Sequence, residues 1–299
     1  MHLLGKKIRE LEEGNGEEVQ SFTEAISDTT ANVLKGLSGK GTNKKRKLID
    51  NIILFTNASG GTGASTIASN VAYTAYQNKL KTVLIDLNIM CPVQHAYLGI
   101  KQAMEKADLV SFLLGKNSLS DSIDTSKAVN LIYSNNRTLS DEINCNDKVA
   151  IENFKTMLSK LRQFYDLVII DCPMRIDSML QNTALYMADT IYMVWDEGIS
   201  SIINTEKLRR NMALSGIDSF VKMKVILNKR TSVHFTDYPI TKLNLELLEI
   251  LPFDTDIIDN SLKGKVFCEN GSSASRNAII FAEKIQELTA KILENGGYA

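Results

Sequence analysis

The sequence predicts an α/β fold: a doubly wound, mostly parallel sheet with helices on both faces. Three observations carry that prediction. From Asn51 onward, strand-like and helix-like patterns alternate along the chain, which implies parallel strands joined by helical crossovers. Several strand candidates are continuously apolar, as in Ile52-Ile53-Leu54-Phe55 and Leu167-Val168-Ile169-Ile170, so they are expected to be buried on both faces. A glycine-rich loop stands between the first strand and the first helix, at the carboxyl edge where open α/β sheets bind their ligands.

Taken in order, the strand candidates are 51–57, 82–87, 129–134, 166–171, 190–194, 222–228 and 247–251. Each is a short run of Val, Ile, Leu, Tyr or Thr of strand length. Helical patterns fall between them at 63–79, 107–114, 147–164, 177–187 and 200–215, with a last one at 276–294. No internal repeat or low-complexity tract interrupts the series.

The first 47 residues differ, so the chain divides into a helical extension with a linker over 1–47 and a nucleotide-binding domain over 48–299. Val19, Phe22, Ile26, Val33, Leu34 and Leu37 recur at helical spacing over Glu17 to Leu37, and Gly36 and Gly39 end the pattern. Ser38 to Lys47 reads as a flexible basic linker. The stripe serves either to dock the helix on its own domain or to bind a partner or a membrane surface. Lys44 to Lys47 also has the composition of a nucleic-acid patch, although four charges beside a globular domain read first as solvated surface.

Composition excludes several classes. With 44% hydrophobic and 23% charged residues, the 299-residue chain has the makings of a sizeable core. A formal net charge of -1 gives no whole-chain attraction to nucleic acid or anionic lipid. Cys91, Cys145, Cys172 and Cys268 lack C-x-x-C spacing and do not cluster in sequence with His2, His95 or His234, so no metal site of that kind is expected. No apolar run reaches the ~18 residues of a membrane span, and the amino terminus lacks the apolar core of a signal peptide. The expected location is the cytoplasm, with recruitment to the inner membrane face.

Residues 58–66, Ala-Ser-Gly-Gly-Thr-Gly-Ala-Ser-Thr, have the strand-loop-helix setting of a P-loop. Gly60, Gly61 and Gly63 permit a tight turn whose N–H groups face a phosphate, with the positive end of the next helix behind them. Ser65 stands where a hydroxyl binds magnesium, and Ala64 where a lysine reaches the outer phosphates. Three strand ends follow in order: Asp86 closes Val83-Leu84-Ile85, Asp171 closes Leu167-Val168-Ile169-Ile170, and Asn228 closes Val225-Ile226-Leu227. The aspartate at 171 is suited to orient magnesium-bound water and the amide at 228 to meet a purine edge.

With these elements in this order, the chain resembles the MinD/ParA family of deviant Walker A ATPases from Ile52 to Glu294. The family's loop runs Lys-Gly-Gly-x-Gly-Lys-(Ser/Thr)-Thr, against Ser59-Gly60-Gly61-Thr62-Gly63-Ala64-Ser65-Thr66 here. Its first lysine crosses a dimer interface and its second grips phosphate within the subunit; Ser59 and Ala64 replace them. Its Asp-x-Asp, whose second member positions the attacking water, reads Asp86-Leu87-Asn88. The resemblance implies a P-loop NTPase-like fold. It further implies ATP held by Gly60, Gly61, Thr62, Gly63, Ala64, Ser65, Thr66 and Asn228, with Mg2+ near Ser65 and, through water, Asp171. Asp86 and Asp171 are the candidate catalytic groups.

Within that family the Gly-Ala-Ser-Thr run is most similar to the CpaE/TadZ branch. That likeness implies a homodimeric scaffold for type IV-like (Flp/Tad) pilus or secretion assembly at the membrane, with pilus or secretion proteins or a membrane-associated protein as partners. The loss of one phosphate-binding lysine weakens ATP roughly 10- to 100-fold. Loss of transition-state charge costs about 10³–10⁵ in rate, so the expectation is a pseudo-ATPase or a very slow one. Arg137, Arg175, Lys229 and Arg230 are the cations available to replace a loop lysine from elsewhere. A ParA-like ATPase that moves DNA or plasmid cargo is the alternative, and a tyrosine-kinase relative of the superfamily is a third reading, with Tyr298 near the chain end.

Overall fold

The structure is a computed structural model that describes residues 50–100, 108–134, 147–174, 178–231, 238–269 and 275–297, the side chains of Phe220 and Tyr238 excepted. The extension and linker expected over 1–47 lie outside these residues, as do Arg137 and Arg175. Seven strands form one sheet: β1 (Ile52–Asn57), β2 (Thr82–Asp86), β3 (Asn130–Ile132), β4 (Leu167–Cys172), β5 (Thr190–Trp195), β6 (Met223–Arg230) and β7 (Glu246–Pro252). Their order is β3-β2-β4-β1-β5-β6-β7, and every neighbouring pair is parallel. All seven expected strands are therefore present, the third as a three-residue core of the run expected over 129–134.

The helices are α1 (Ala64–Gln77), α2 (Gln94–Tyr97), α3 (Leu109–Leu113), α4 (Lys148–Phe164), α5 (Met179–Met187), α6 (Ile199–Leu214), α7 (Ser219–Lys222), α8 (Tyr238–Lys242), α9 (Thr255–Leu262) and α10 (Arg276–Asn295). The six expected helical patterns are present as α1, α3, α4, α5, α6 and α10, with ends within two residues of the expected limits. Asp108, Asp147 and Ser178 each cap a helix by accepting a backbone N–H from its first turn, which places those starts one or two residues after the onset of apolar periodicity. The short helices α2, α7, α8 and α9 went unforeseen, because one or two turns carry too little period to read.

Alternation along the strands sorts the core into two layers. Ile52, Leu54, Val168, Ile170, Ile191 and Met193 pack into one cluster with Phe154 and Leu158 of α4 and Leu180 and Ala184 of α5. Ile53, Phe55, Ile169, Tyr192 and Val194 pack into the other with Ile67 and Val71 of α1 and Phe281 and Ile285 of α10. Both faces of the central strands are thus covered, which explains their unbroken hydrophobicity. Burying each such side chain stabilises the fold by roughly 1.5–3 kcal/mol. At the sheet edge, Glu249 of β7 is buried yet paired to Lys291 at 2.6 Å and Lys284 at 3.3 Å, so α10 satisfies a charge that would otherwise be stranded.

From β1 the chain moves to one side of the sheet for β2, β3 and β4 and to the other for β5, β6 and β7. The loop after β1 therefore sits at the reversal point of a doubly wound sheet, flanked by the carboxyl ends of β4 and β5.

Candidate functional site

The loop between β1 and α1 adopts a conformation that its glycines make available. Gly61 has φ +82° and Gly63 φ +94°, both left-handed, and Gly63 is the N-cap of α1. No side chain caps that helix, so the N–H groups of its first turn are left for another acceptor. A Cβ built on Gly60 or Gly61 meets no atom within 4 Å, whereas one on Gly63 falls 2.4 Å from Asn228 Nδ2. Gly63 is thus required by a neighbour beneath the loop as well as by its own φ.

That neighbour is a prop. Asn228 Nδ2 donates to the Thr62 carbonyl at 2.7 Å, and Lys229 Nζ donates to the Gly61 carbonyl at 2.6 Å. The residues are aimed by an irregularity in the sheet: between the pairs Leu227↔Ile250 and Arg230↔Pro252, β6 carries one residue more than β7. Lys229 itself has φ +58°, a left-handed conformation that costs a non-glycine residue about 1–3 kcal/mol. On the other side, Asn57 Nδ2 donates to the Ser59 carbonyl and Asn204 Nδ2 of α6 to that of Ala58, at 3.0 and 2.8 Å.

Below the loop lie two buried carboxylates. Asp86 and Asp171 occupy paired positions at the ends of β2 and β4. Asp86 accepts backbone N–H groups from Val93 and Gln94 on one oxygen and from Asn88 on the other. Asp171 accepts the Gln94 side-chain amide at 2.7 Å, and the same amide reaches the Ser65 carbonyl at 2.9 Å. Burial pushes both carboxyls above the ordinary carboxylate range, and for Asp86 the nearby Asp171 charge pushes further. Hydrogen bonds from Gln94 and the Ser65 hydroxyl oppose this at Asp171.

The predicted residues are therefore brought to one place: Gly60 to Gly63 form the loop and Ala64 to Thr66 the first turn of α1, Ser65 stands against Asp171, Asp86 lies beside it, and Asn228 supports the loop from β6. Arg230, two residues beyond Asn228, ends the same strand. Sequence reading missed Gln94, Asn57 and Asn204. A lone amide in a helix or at a strand end belongs to no motif, and only the folded chain shows what it holds.

The residues present fit a magnesium-bound nucleotide. Thr62 Oγ1 and Gln94 Oε1 are buried at the site and without a partner among the described residues. A phosphate oxygen would accept from the first, and a metal-bound water would donate to the second. Among the described residues no group of three or more His, Cys, Asp or Glu could hold a metal alone. Magnesium characteristically takes only one or two carboxylates and completes its shell with water and phosphate, which a Ser65–Asp171 pair matches.

Residues 50–232 match the AAA domain family. The chain belongs to this family, within the MinD/ParA superfamily. Among its relatives, an uncharacterised ATP-binding protein of Methanocaldococcus jannaschii is 26% identical over 77% of this chain and 86% of its own length. The septum site-determining protein MinD of Thermotoga maritima is 25% identical over 79% of this chain and 88% of its own. Among solved structures, MinD of Pyrococcus horikoshii complexed with Mg-ADP superposes with a TM-score of 0.65 at 18% identity, covering 83% of this chain and 97% of that one. This MinD/ParA-like chain thus shares the fold of those structures, a parallel sheet covered by helices. No helix among the described residues is long and apolar enough to cross a membrane.

Proposed function

We propose that this MinD/ParA-like protein binds ATP with magnesium but hydrolyses it very slowly or not at all. In this reading it acts as a dimerising scaffold that positions pilus or secretion assembly proteins at the cytoplasmic face of the membrane. One observation carries the reading: the loop's backbone cradle is intact, while Ala64 stands buried at the first position of α1 where a catalytic lysine is expected. Binding by N–H groups and a helix terminus needs no lysine. Transition-state stabilisation does, and with Asn88 in place of the water-positioning aspartate the chemistry lacks both charges.

In this assignment the N–H groups of residues 60–66 hold the phosphates, Ser65 binds magnesium, Asp171 orders its water, and Asn228 both braces the loop and faces the base. When bound, the magnesium supplies charge neutralisation between the phosphates. Dimerisation is supported by exposed apolar side chains on the same edge of the sheet: Met90 after β2, Met179 opening α5, and Ile199 and Ile203 on α6. Exposed groups of this kind mark interaction surfaces when they gather, and an interface across them covers the nucleotide.

Titration calorimetry with ATP and magnesium, followed by a phosphate-release assay and sizing of the mixture, tests the proposal. It expects binding, a shift to dimer, and negligible phosphate release. Absence of binding, or a monomer that turns ATP over at about 1 per second, refutes it.

A further inference from the structure

The loop has no cation of its own, yet the structure brings one to it. We propose that Lys229, delivered from β6, is the cation that grips phosphate in the bound nucleotide, a binding role that leaves the transition-state role of the lysine missing at Ala64 unfilled. The inference rests on the nucleotide-binding reading above and adds a residue that the loop motif does not contain.

Four observations on different links of the chain converge. The Lys229 ammonium sits 2.6 Å from the carbonyl of Gly61, within the loop itself. An ammonium has three donors, and this contact uses one, so two remain for phosphate oxygens. Its stem runs past the loop's tightest turn, with Cε 3.9 Å from where a Cβ on Gly63 would lie. The backbone is bent to put it there: φ +58° at Lys229 and the extra residue in β6 between Leu227 and Arg230 coincide at this position. A strained residue on a bulge beside a binding loop is the pattern of a re-aimed functional side chain.

The neighbouring Asn228 already holds the Thr62 carbonyl, so consecutive residues of β6 grip consecutive carbonyls of the loop. Lysine suits the second position because its four-carbon stem lets the ammonium pass from a carbonyl to a phosphate oxygen without moving the backbone. Ser59 and Ala64 have no charge with which to compete for that role.

The test is calorimetric titration of the full-length protein with ATP and magnesium, with adenosine as a control that lacks phosphate. Lys229→Met is expected to weaken ATP about tenfold or more, the usual loss for a charge-assisted hydrogen bond, and to leave adenosine affinity unchanged. Lys229→Arg is expected to stay within about threefold of wild type, because it restores the charge at nearly the same reach. ATP affinity of Lys229→Met equal to wild type, an equal fall for ATP and adenosine, or an Arg variant as weak as the Met variant would each overturn the proposal. If the wild-type protein binds no ATP, the nucleotide-binding reading fails and this inference falls with it.

Discussion

The side-chain amide of Gln94 donates to the Asp171 carboxylate at 2.7 Å while the backbone N–H of the same residue donates to Asp86 at 2.9 Å. One residue at the start of α2 thereby ties together the two buried acids at the ends of β2 and β4. Replacing it with leucine keeps the bulk and the backbone bond but removes the amide. Gln94→Leu is expected to lower stability by about 1–3 kcal/mol, the cost of an unsatisfied buried acceptor, and to raise the Asp171 carboxyl further. Urea unfolding at neutral pH measures the first effect; an unchanged midpoint would show that the amide contributes nothing.

The two acids also set a pH dependence. Both native carboxyls lie above the ordinary value near 4, with Asp86 pushed up to about 7. Between these limits the native state holds more protons than the unfolded chain, so stability must fall as pH rises from about 4 to about 7. Magnesium and nucleotide would replace the proton and reverse the loss. Thermal melting without metal should therefore show a higher midpoint at pH 5.5 than at pH 7.5, apart from any general acid unfolding. The opposite slope would contradict the buried-pair assignment.

Asp171→Asn separates the site's two roles. Removing the buried charge is expected to raise metal-free stability at neutral pH by about 1 kcal/mol or more and to abolish the extra stabilisation that magnesium and ATP confer. Melting curves with and without the ligands read both effects, and a variant still stabilised by them would exclude Asp171 from the metal site.

Gly63→Ala should be disproportionately harmful for one methyl group. The new Cβ meets Asn228 Nδ2 at 2.4 Å and forces a left-handed alanine at φ +94°. The expected cost is about 2 kcal/mol or more, combining the backbone penalty with a lost prop, together with loss of ATP binding. Gly60→Ala, where a Cβ meets nothing within 4 Å, is the matched control and should fold normally. Equal effects at the two positions would contradict the close approach.

Phosphate release is expected to stay far below about 1 per second, the lower end of the ordinary enzyme range. Restoring charge with Asn88→Asp should add little while Ala64 remains, since the two lost groups act on the same transition state. A large gain from Asn88→Asp alone would mean that the phosphates are already stabilised well enough for chemistry.

Most of the fold was legible because its strands are buried on both faces and therefore written as unbroken runs of Ile, Val and Leu, and because three of the six expected helices begin at side-chain caps such as Asp147. The loop and its acids were legible because phosphate binding demands glycine, and strand ends place acids at one edge. What could not be read is the material that joins these parts. The extra residue in β6 is a matter of register, set by where Ile250 and Pro252 of β7 pair, and nothing in Leu227-Asn228-Lys229-Arg230 announces it. Lys229 stood among four cations of equal standing in the sequence, and only the folded chain, through the bulge, the positive φ and the bond to Gly61, distinguishes it from Arg230. Gln94, in a short helix without a pattern, was invisible for the same reason.

The prop beneath the loop also has a consequence in time. Thr62 and Asn228 are 166 residues apart in the chain, so at roughly 5–20 residues per second of synthesis about ten to thirty seconds separate the appearance of the loop from that of its support. Late in that interval the nascent chain has the glycines, Ser65 and both acids, but neither Asn228 nor Lys229 to hold the turn. On the proposed reading, nucleotide capture waits for the sixth strand to be translated and added to the sheet. Binding of ATP by ribosome-bound chains would therefore report that the far half of the sheet has already assembled.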